Sequence, residues 1–241
     1  MEANSLAFDA LVLAGGKSSR LGGTPKQSLV FQGQTLLERA VAAAAGAGLT
    51  VVVGDTEFLR RRASVAQPLP ARPANLFTCR EEPRFAGPAA AIAAGLKALA
   101  AHHARTGSGG GAPYTLVLAC DMPLASQAVA VLQDALRPSM EGKSGGVMAC
   151  AEDGRAQPLA GFYRTSELTK ACEALAARDA LVNGSVRALL ASLDVQLVTV
   201  PAGSTADVDT WDDVAALGMA AGNQREGQDR HSGGANVGGN S

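Results

Sequence analysis

Aromatic residues are scarce: 4% of the chain, with one Trp and two Tyr. A core cannot then rest on stacked rings. The 47% of hydrophobic residues must fill it mainly with Ala, Val and Leu, which suits helices laid on a sheet buried on both faces. A surplus of one charge is also missing. With 21 Lys and Arg against 22 Asp and Glu, no basic stripe forms, and no nucleic-acid partner is expected. A small anionic ligand met by a few local cations stays open. No stretch approaches the length needed to span a bilayer, and residues 1–9 lack a basic segment leading into an apolar run. No membrane partner is expected, and the chain reads as cytoplasmic. Cys79, Cys120, Cys150 and Cys172 are scattered, with no C-x-x-C pair. That spacing suits neither a zinc site nor a disulfide framework, so buried reduced thiols are expected. Three histidines, His102, His103 and His231, fall at a helix end and in a tail and receive no role.

What is present alternates. Residues 10–14 read as a buried strand that runs into a glycine-rich loop from Gly15 to Gly23. Leu36, Leu37, Ala40, Val41 and Ala44 recur at helical spacing over residues 35–48, and Gly46 and Gly48 end that helix. Residues 49–53 are β-branched and predict a second strand. Residues 56–75 hold Arg60, Arg61, Arg62 and three prolines, consistent with a short helix and an irregular connection whose arginines form a solvated face. Residues 76–79 predict a third strand. Pro88 sits in the first turn of an Ala-rich helix reaching about residue 103. The glycines of 105–113 form a surface connection, since no Lys-Ser or Lys-Thr follows them to make a phosphate loop. Further strands are expected at 115–119, 146–149, 160–163 and 195–200, and helices at 126–136, 166–177, 185–193 and 210–217. Residues 154–197 depart from simple alternation and suggest an antiparallel addition.

Strand–helix alternation predicts an α/β fold: a three-layer, Rossmann-like, mostly parallel sheet with helices on both faces. One domain is expected over residues 1–221. The polar, glycine-rich residues 222–241 cannot bury enough apolar surface to fold and read as a disordered tail.

In such a sheet ligands bind outside the carboxyl ends of the strands. Three strands end there on polar sequence: at Gly15-Gly16, at Arg80-Glu81-Glu82-Pro83 and at Cys120-Asp121-Met122-Pro123. Gly15 and Gly16 let backbone N–H groups approach a phosphate. Arg20 and Lys26 add fixed positive charge for a triphosphate. Asp121, at a strand tip, suits Mg²⁺, which takes one or two protein carboxylates plus phosphates and waters. Neither G-x-G-x-x-G nor G-x-x-x-x-G-K-[ST] occurs, so dinucleotide binding and a P-loop are not supported. Taken singly, a Gly-Gly can serve any tight turn, and an Asp after a strand is often only a helix cap. The combination carries the reading.

The run Leu13-Ala14-Gly15-Gly16-Lys17-Ser18-Ser19-Arg20-Leu21-Gly22 with Lys26 resembles the L-A-G-G-x-S-x-R-M-G…K signature of nucleotidyltransferases with a glycosyltransferase-A-like fold. Within that group the chain is similar to the molybdenum cofactor guanylyltransferases. Glu82-Pro83 with Ala86-Gly87-Pro88, Cys120-Asp121-Met122-Pro123, Gln157-Pro158-Leu159 and Asp207-Val208-Asp209-Thr210 carry the likeness, which covers about residues 8–218. Pro25-Lys26-Gln27 also resembles the cytidylyltransferases of isoprenoid precursor synthesis, but Cys-Asp-Met-Pro argues against them. The chain departs from the pattern at Thr24-Pro25 before the Lys, at Ala86 for a usual Gly, and at Leu21 for Met.

The resemblance implies roles by position. Leu13, Ala14, Gly15 and Gly16 line the nucleotide site with Lys26, Glu82 and Asp121, Glu82 standing where the family usually has Asp. Asp121 and Asp209 are the metal ligands, and Lys26, Arg20 and Asp121 the catalytic set. The implied reaction moves GMP from GTP onto the terminal phosphate of the molybdenum cofactor, releasing pyrophosphate, with Mg²⁺ as cofactor. A molybdoenzyme or cofactor carrier is the protein partner it implies. Two enzymatic rivals are CTP-dependent transfer to the same cofactor and NTP transfer to another phosphorylated metabolite. A rival of another class is a nucleotide-binding module without turnover.

Overall fold

The computed structural model describes residues 6–16, 19–54, 75–107, 110–139 and 144–221. Lys17, Ser18, the arginines 60–62, His231 and the tail from Gly222 lie outside them, as does all of the 56–75 connection except Asn75.

The elements run β1 (Phe8–Ala14), β2 (Leu29–Phe31), β3 (Gln34–Thr35), α1 (Leu36–Ala43), β4 (Thr50–Gly54), β5 (Leu76–Cys79), α2 (Pro88–Thr106), β6 (Tyr114–Ala119), α3 (Ala125–Ser139), β7 (Gly146–Cys150), β8 (Ala156–Arg164), α4 (Thr165–Ala176), α5 (Val186–Leu190), β9 (Val195–Thr199), α6 (Trp211–Ala216) and β10 (Ala220–Ala221). Seven strands form one sheet in the order β5-β4-β1-β6-β8-β7-β9. Neighbours are parallel except β8, which is antiparallel to β6 and β7. The sheet is therefore mostly parallel, and the antiparallel piece falls in the region where alternation lapses.

The central strand shows why the layers form. All seven residues of β1 are buried, and its alternate side chains enter two cores. Ala10, Val12 and Ala14 join Leu37, Ala40, Val129 and Leu132 from α1 and α3. Leu11 and Leu13 join Ile92, Leu96, Leu99, Leu168 and Leu175 from α2 and α4. Gly95 lets α2 seat closely: a Cβ there would lie 2.7 Å from Leu11 Cδ2 and 3.0 Å from Val53 Cγ2.

Three strands were not visible in the sequence. β10, β2 and β3 make a small separate sheet over a third core of Leu21, Leu29, Phe31, Leu36, Val208, Val214 and Met219. Leu21 is fully buried there, which contributes about 1.5–3 kcal/mol. It fastens the glycine loop to residues 208–221.

Two expected elements differ in extent. β8 begins at Ala156 rather than at residue 160, because its register against β7 shifts between Met148 and Ala149. That irregularity accommodates Pro158, which cannot donate to a ladder. The helix expected over 185–193 shortens to α5. Ser185 caps it through Ala188 N–H (3.1 Å), and a tight turn from Leu190 to Leu193 follows. Among the described residues no helix is long and apolar enough to cross a membrane.

Candidate active site

The tips of β1, β5 and β6 open on a cleft of about 530 Å³. Its lining includes Leu13, Gly15, Gly16, Lys26, Glu81 and Asp121. A smaller hollow of about 220 Å³ adjoins it across the glycine turn, against Ala14, Gly54, Arg80, Arg84 and Phe85. Gly15, Gly16, Gln27, Glu81 and Phe85 border both spaces.

Backbone bonds place the charged groups. Cys120 N–H donates to Leu13 O (3.0 Å), so β1 and β6 stay paired to their tips, and Asp121 leaves the sheet beside the glycine turn. Gly54 closes the neighbouring tip, where a Cβ would meet the Ala14 carbonyl at 2.7 Å. Val208 N–H donates to Asp121 O (3.0 Å). This bond and the third core bring Asp209 to the site from far along the chain. A capping box at the start of α6 then fixes it: Asp213 Oδ2 accepts from Asp209 N–H (3.0 Å) and Thr210 N–H (2.8 Å). These bonds hold the Asp213 carboxyl below the usual carboxylate range, the Asp209 amide having the largest effect.

Lys26 lies in a 3₁₀ turn just after Pro25. Its ammonium donates to Asp121 Oδ2 at 3.0 Å and also to Asp209 Oδ1. Arg20 Nη1 reaches Asp209 Oδ2 at 3.4 Å from a more exposed position. Burial alone would lower the Lys26 pKa. Hydrogen bonds and charge from Asp209 and Asp121 outweigh it and hold the ammonium above the ordinary lysine range. Two carboxylates thus converge on one cation. Such an all-oxygen donor set suits a hard divalent ion that keeps phosphate and water among its ligands. Among the described residues no cluster of three or more His, Cys, Asp and Glu exists that could cage a metal alone.

The expected residues fall into groups. Leu13, Gly15, Gly16, Lys26 and Asp121 line the cleft, and Ala14 the smaller hollow. Arg20 and Asp209 join through ion pairs. Glu82 is exposed and borders neither space. Its neighbour Glu81 is buried and borders both. At a strand end the chain turns, so two-residue alternation does not say which of adjacent glutamates faces in. Phe85, which carries no sequence signal, stands 45% exposed with φ 60°.

The cysteines are free thiols in the described residues. Burial, with a smaller contribution from the charge of Glu81, pushes Cys79 up to about 11. Burial above all raises Cys120 as well. Both are protonated and unreactive at neutral pH.

Residues 10–197 match the family model described as "MobA-like NTP transferase domain". The chain belongs to this family. Among its relatives, a "Probable molybdenum cofactor guanylyltransferase" of Mycolicibacterium paratuberculosis is 34% identical over 220 residues, covering 90% of this chain and 98% of that one. Of solved structures, molybdopterin-guanine dinucleotide biosynthesis protein A from Archaeoglobus fulgidus matches with TM-score 0.58 at 17% identity, covering 87% and 96% of the two chains. Rv0371C of Mycobacterium tuberculosis in complex with manganese matches with TM-score 0.54 at 19% identity, covering 88% and 97%. Membership makes the chain a nucleotidyltransferase. The structural likenesses show the common fold.

Proposed function

We propose that the protein transfers GMP from GTP to the terminal phosphate of the molybdenum cofactor in the cytoplasm, releasing pyrophosphate. One observation carries the reading: Asp121 and Asp209 converge on Lys26 at the mouth of the cleft, on a chain whose curated relatives bear the name guanylyltransferase. Asp121 and Asp209 would hold Mg²⁺, which supplies charge neutralisation at the phosphates when bound. The lysine ammonium and such an ion compete for the same carboxylate oxygens. Lys26 then turns to the triphosphate, with Arg20 beside it. Gly15 and Gly16 let the nucleotide pass close to the backbone of the β1 tip.

The nucleophile is an acceptor phosphate oxygen that is already anionic, so no general base is required. It attacks the α-phosphorus in line, the bond to the β-phosphate oxygen breaks, and the electron pair leaves with pyrophosphate. The residues contribute by positioning and by neutralising charge. A carrier or molybdoenzyme would deliver or receive the cofactor.

The test is to incubate the protein with Mg²⁺, purified cofactor and each NTP separately, and to identify the product by mass. GMP transfer with release of pyrophosphate is expected. Equal or faster turnover with CTP would replace the donor. Binding without pyrophosphate release under every condition would make the protein a nucleotide-binding module.

A further inference from the structure

The wall of the cleft beyond Asp121 is an interruption in a strand. β8 pairs with β7 through Met148 and Gly161, then through Ala149 and Gln157, so residues 158–160 bulge with no partner on β7. Gln157, Pro158 and Leu159 line the cleft together with Ala119, Cys120 and Asp121. Leu118 of β6 pairs with Ala160 of β8. Continuing that antiparallel register sets Leu159, Pro158 and Gln157 level with Ala119, Cys120 and Asp121.

A bulge has lost ladder bonds and needs another hold. Tyr163 supplies one. Its side chain is fully buried, and its hydroxyl donates to the Pro158 carbonyl oxygen at 2.8 Å. Burial holds its pKa above the ordinary tyrosine value, so the hydroxyl stays a donor at neutral pH. Gly161 leaves the space for this bond: a Cβ there would lie 2.7 Å from the Tyr163 hydroxyl oxygen and 2.8 Å from Cζ. The ring itself packs in the second core with Leu11, Val117 and Leu168, where a phenylalanine ring would pack as well. The hydroxyl alone connects that core to the cleft wall.

The sheet order β1-β6-β8 puts the glycine turn on one side of Asp121 and the bulge on the other. An in-line displacement sets the attacking oxygen and the leaving pyrophosphate on opposite sides of the α-phosphorus. With the nucleotide over the glycine turn and the metal at Asp121, the acceptor approaches from the β8 side.

We propose that Tyr163 is a positioning residue for the acceptor: its hydroxyl, held in the space left by Gly161, fixes the Gln157-Pro158-Leu159 wall against which the phosphorylated acceptor docks. The assignment rests on the transfer reaction proposed above.

Tyr163→Phe removes the hydroxyl and keeps the ring. Binding of GTP with Mg²⁺ and binding of purified cofactor are measured separately by calorimetry, with melting temperature as the control for folding. The KM for each substrate follows from pyrophosphate release. Y163F should bind the cofactor about tenfold more weakly, with its KM raised by the same factor, while the affinity and KM for GTP match the parent. Gln157→Ala alters the wall and leaves the core intact, and should give the same one-sided loss. A lowered melting temperature with parental affinity for both substrates would make the hydroxyl structural only and overturn the proposal. Equal losses for GTP and cofactor would overturn it too, as would parental cofactor binding by Q157A. A Y163F chain that fails to fold would count against it as well, since the hydroxyl would then hold the sheet rather than its wall. If the parent releases no pyrophosphate with any NTP, the transfer reading falls, whereas the calorimetric comparison still decides the positioning role.

Discussion

The two ends of the central sheet treat buried charge in opposite ways. At the amino end, Asp9 on β1 is 3% exposed and accepts from Leu49 N–H (2.9 Å), Ala112 N–H (3.3 Å) and the His103 ring Nε2 (2.8 Å). Two connections and the end of α2 are tied to one carboxylate. Among the described residues, only His103 Nδ1 is left unpaired among the buried side-chain atoms of that end. At the carboxyl end, Asp121 and Asp209 share one lysine, and Glu81 leaves an oxygen unpartnered. Residue type does not separate these regions, since both are carboxylates near a cationic or protonatable partner. The difference is completeness. Asp9, whose bonds all come from its own chain, ties the fold together, whereas the acids of the carboxyl end keep acceptor capacity that the proposed function uses for a ligand.

Substitutions at both ends can break this contrast. The largest effect on turnover is expected from Asp121→Asn. Asn keeps the shape and hydrogen bonding but is a poor Mg²⁺ ligand. Pyrophosphate release should fall at least about a hundredfold with an unchanged melting temperature. Parental rates across a magnesium titration would place the metal elsewhere.

Lys26→Ala should slow turnover by about a hundredfold and do something further. Without the ammonium, Asp121 and Asp209 repel each other in the metal-free protein. Magnesium should then raise the melting temperature more in the variant than in the parent. An identical magnesium response in both proteins would mean that lysine and metal do not contend for the same oxygens.

Asp9→Ala should invert this pattern. It strands the Leu49 and Ala112 amides, costing about 1–3 kcal/mol for each group left unsatisfied, read as a lower urea midpoint. The KM for GTP and the rate per folded molecule should stay unchanged. A catalytic defect of similar size to that of Lys26→Ala would erase the distinction between the two ends. The smallest effect is expected from removing residues 222–241, which hold no apolar anchor. Melting temperature and activity should both be retained. A fall in either would show that the segment docks.

Much of the fold was legible because burial on two faces leaves a strong trace. β1 and β6 are aliphatic runs, and α2 follows Pro88 with a long Ala-rich face. Gly15, Gly16 and Asp121 could be placed at strand tips from the same logic, and Lys26 in the loop beyond the glycines. The small sheet was not legible, because strands of two or three residues show no periodicity, and its partners β2 and β10 lie far apart in the chain. Asp209 entered only through family resemblance, since what brings it to Lys26 is tertiary: the third core and the Val208–Asp121 bond. Glu82 too entered through family resemblance; that Glu81 rather than Glu82 borders the cleft was not legible, because the direction of a side chain after a strand ends depends on the turn that follows.

The third core also has a consequence for synthesis on the ribosome. Residues 208–221 are the last described part of the chain to be translated, yet they close the small sheet over Leu21 and carry Asp209. A nascent chain can lay down β1 to β9 and possess the glycine turn, Lys26 and Asp121 while still lacking its second carboxylate. Until that segment emerges, the glycine loop has no lid of Val208, Val214 and Met219 to lie under. On the proposed assignment of Asp209, the polypeptide therefore acquires its chemistry last, when almost everything needed to hold its shape has already been made.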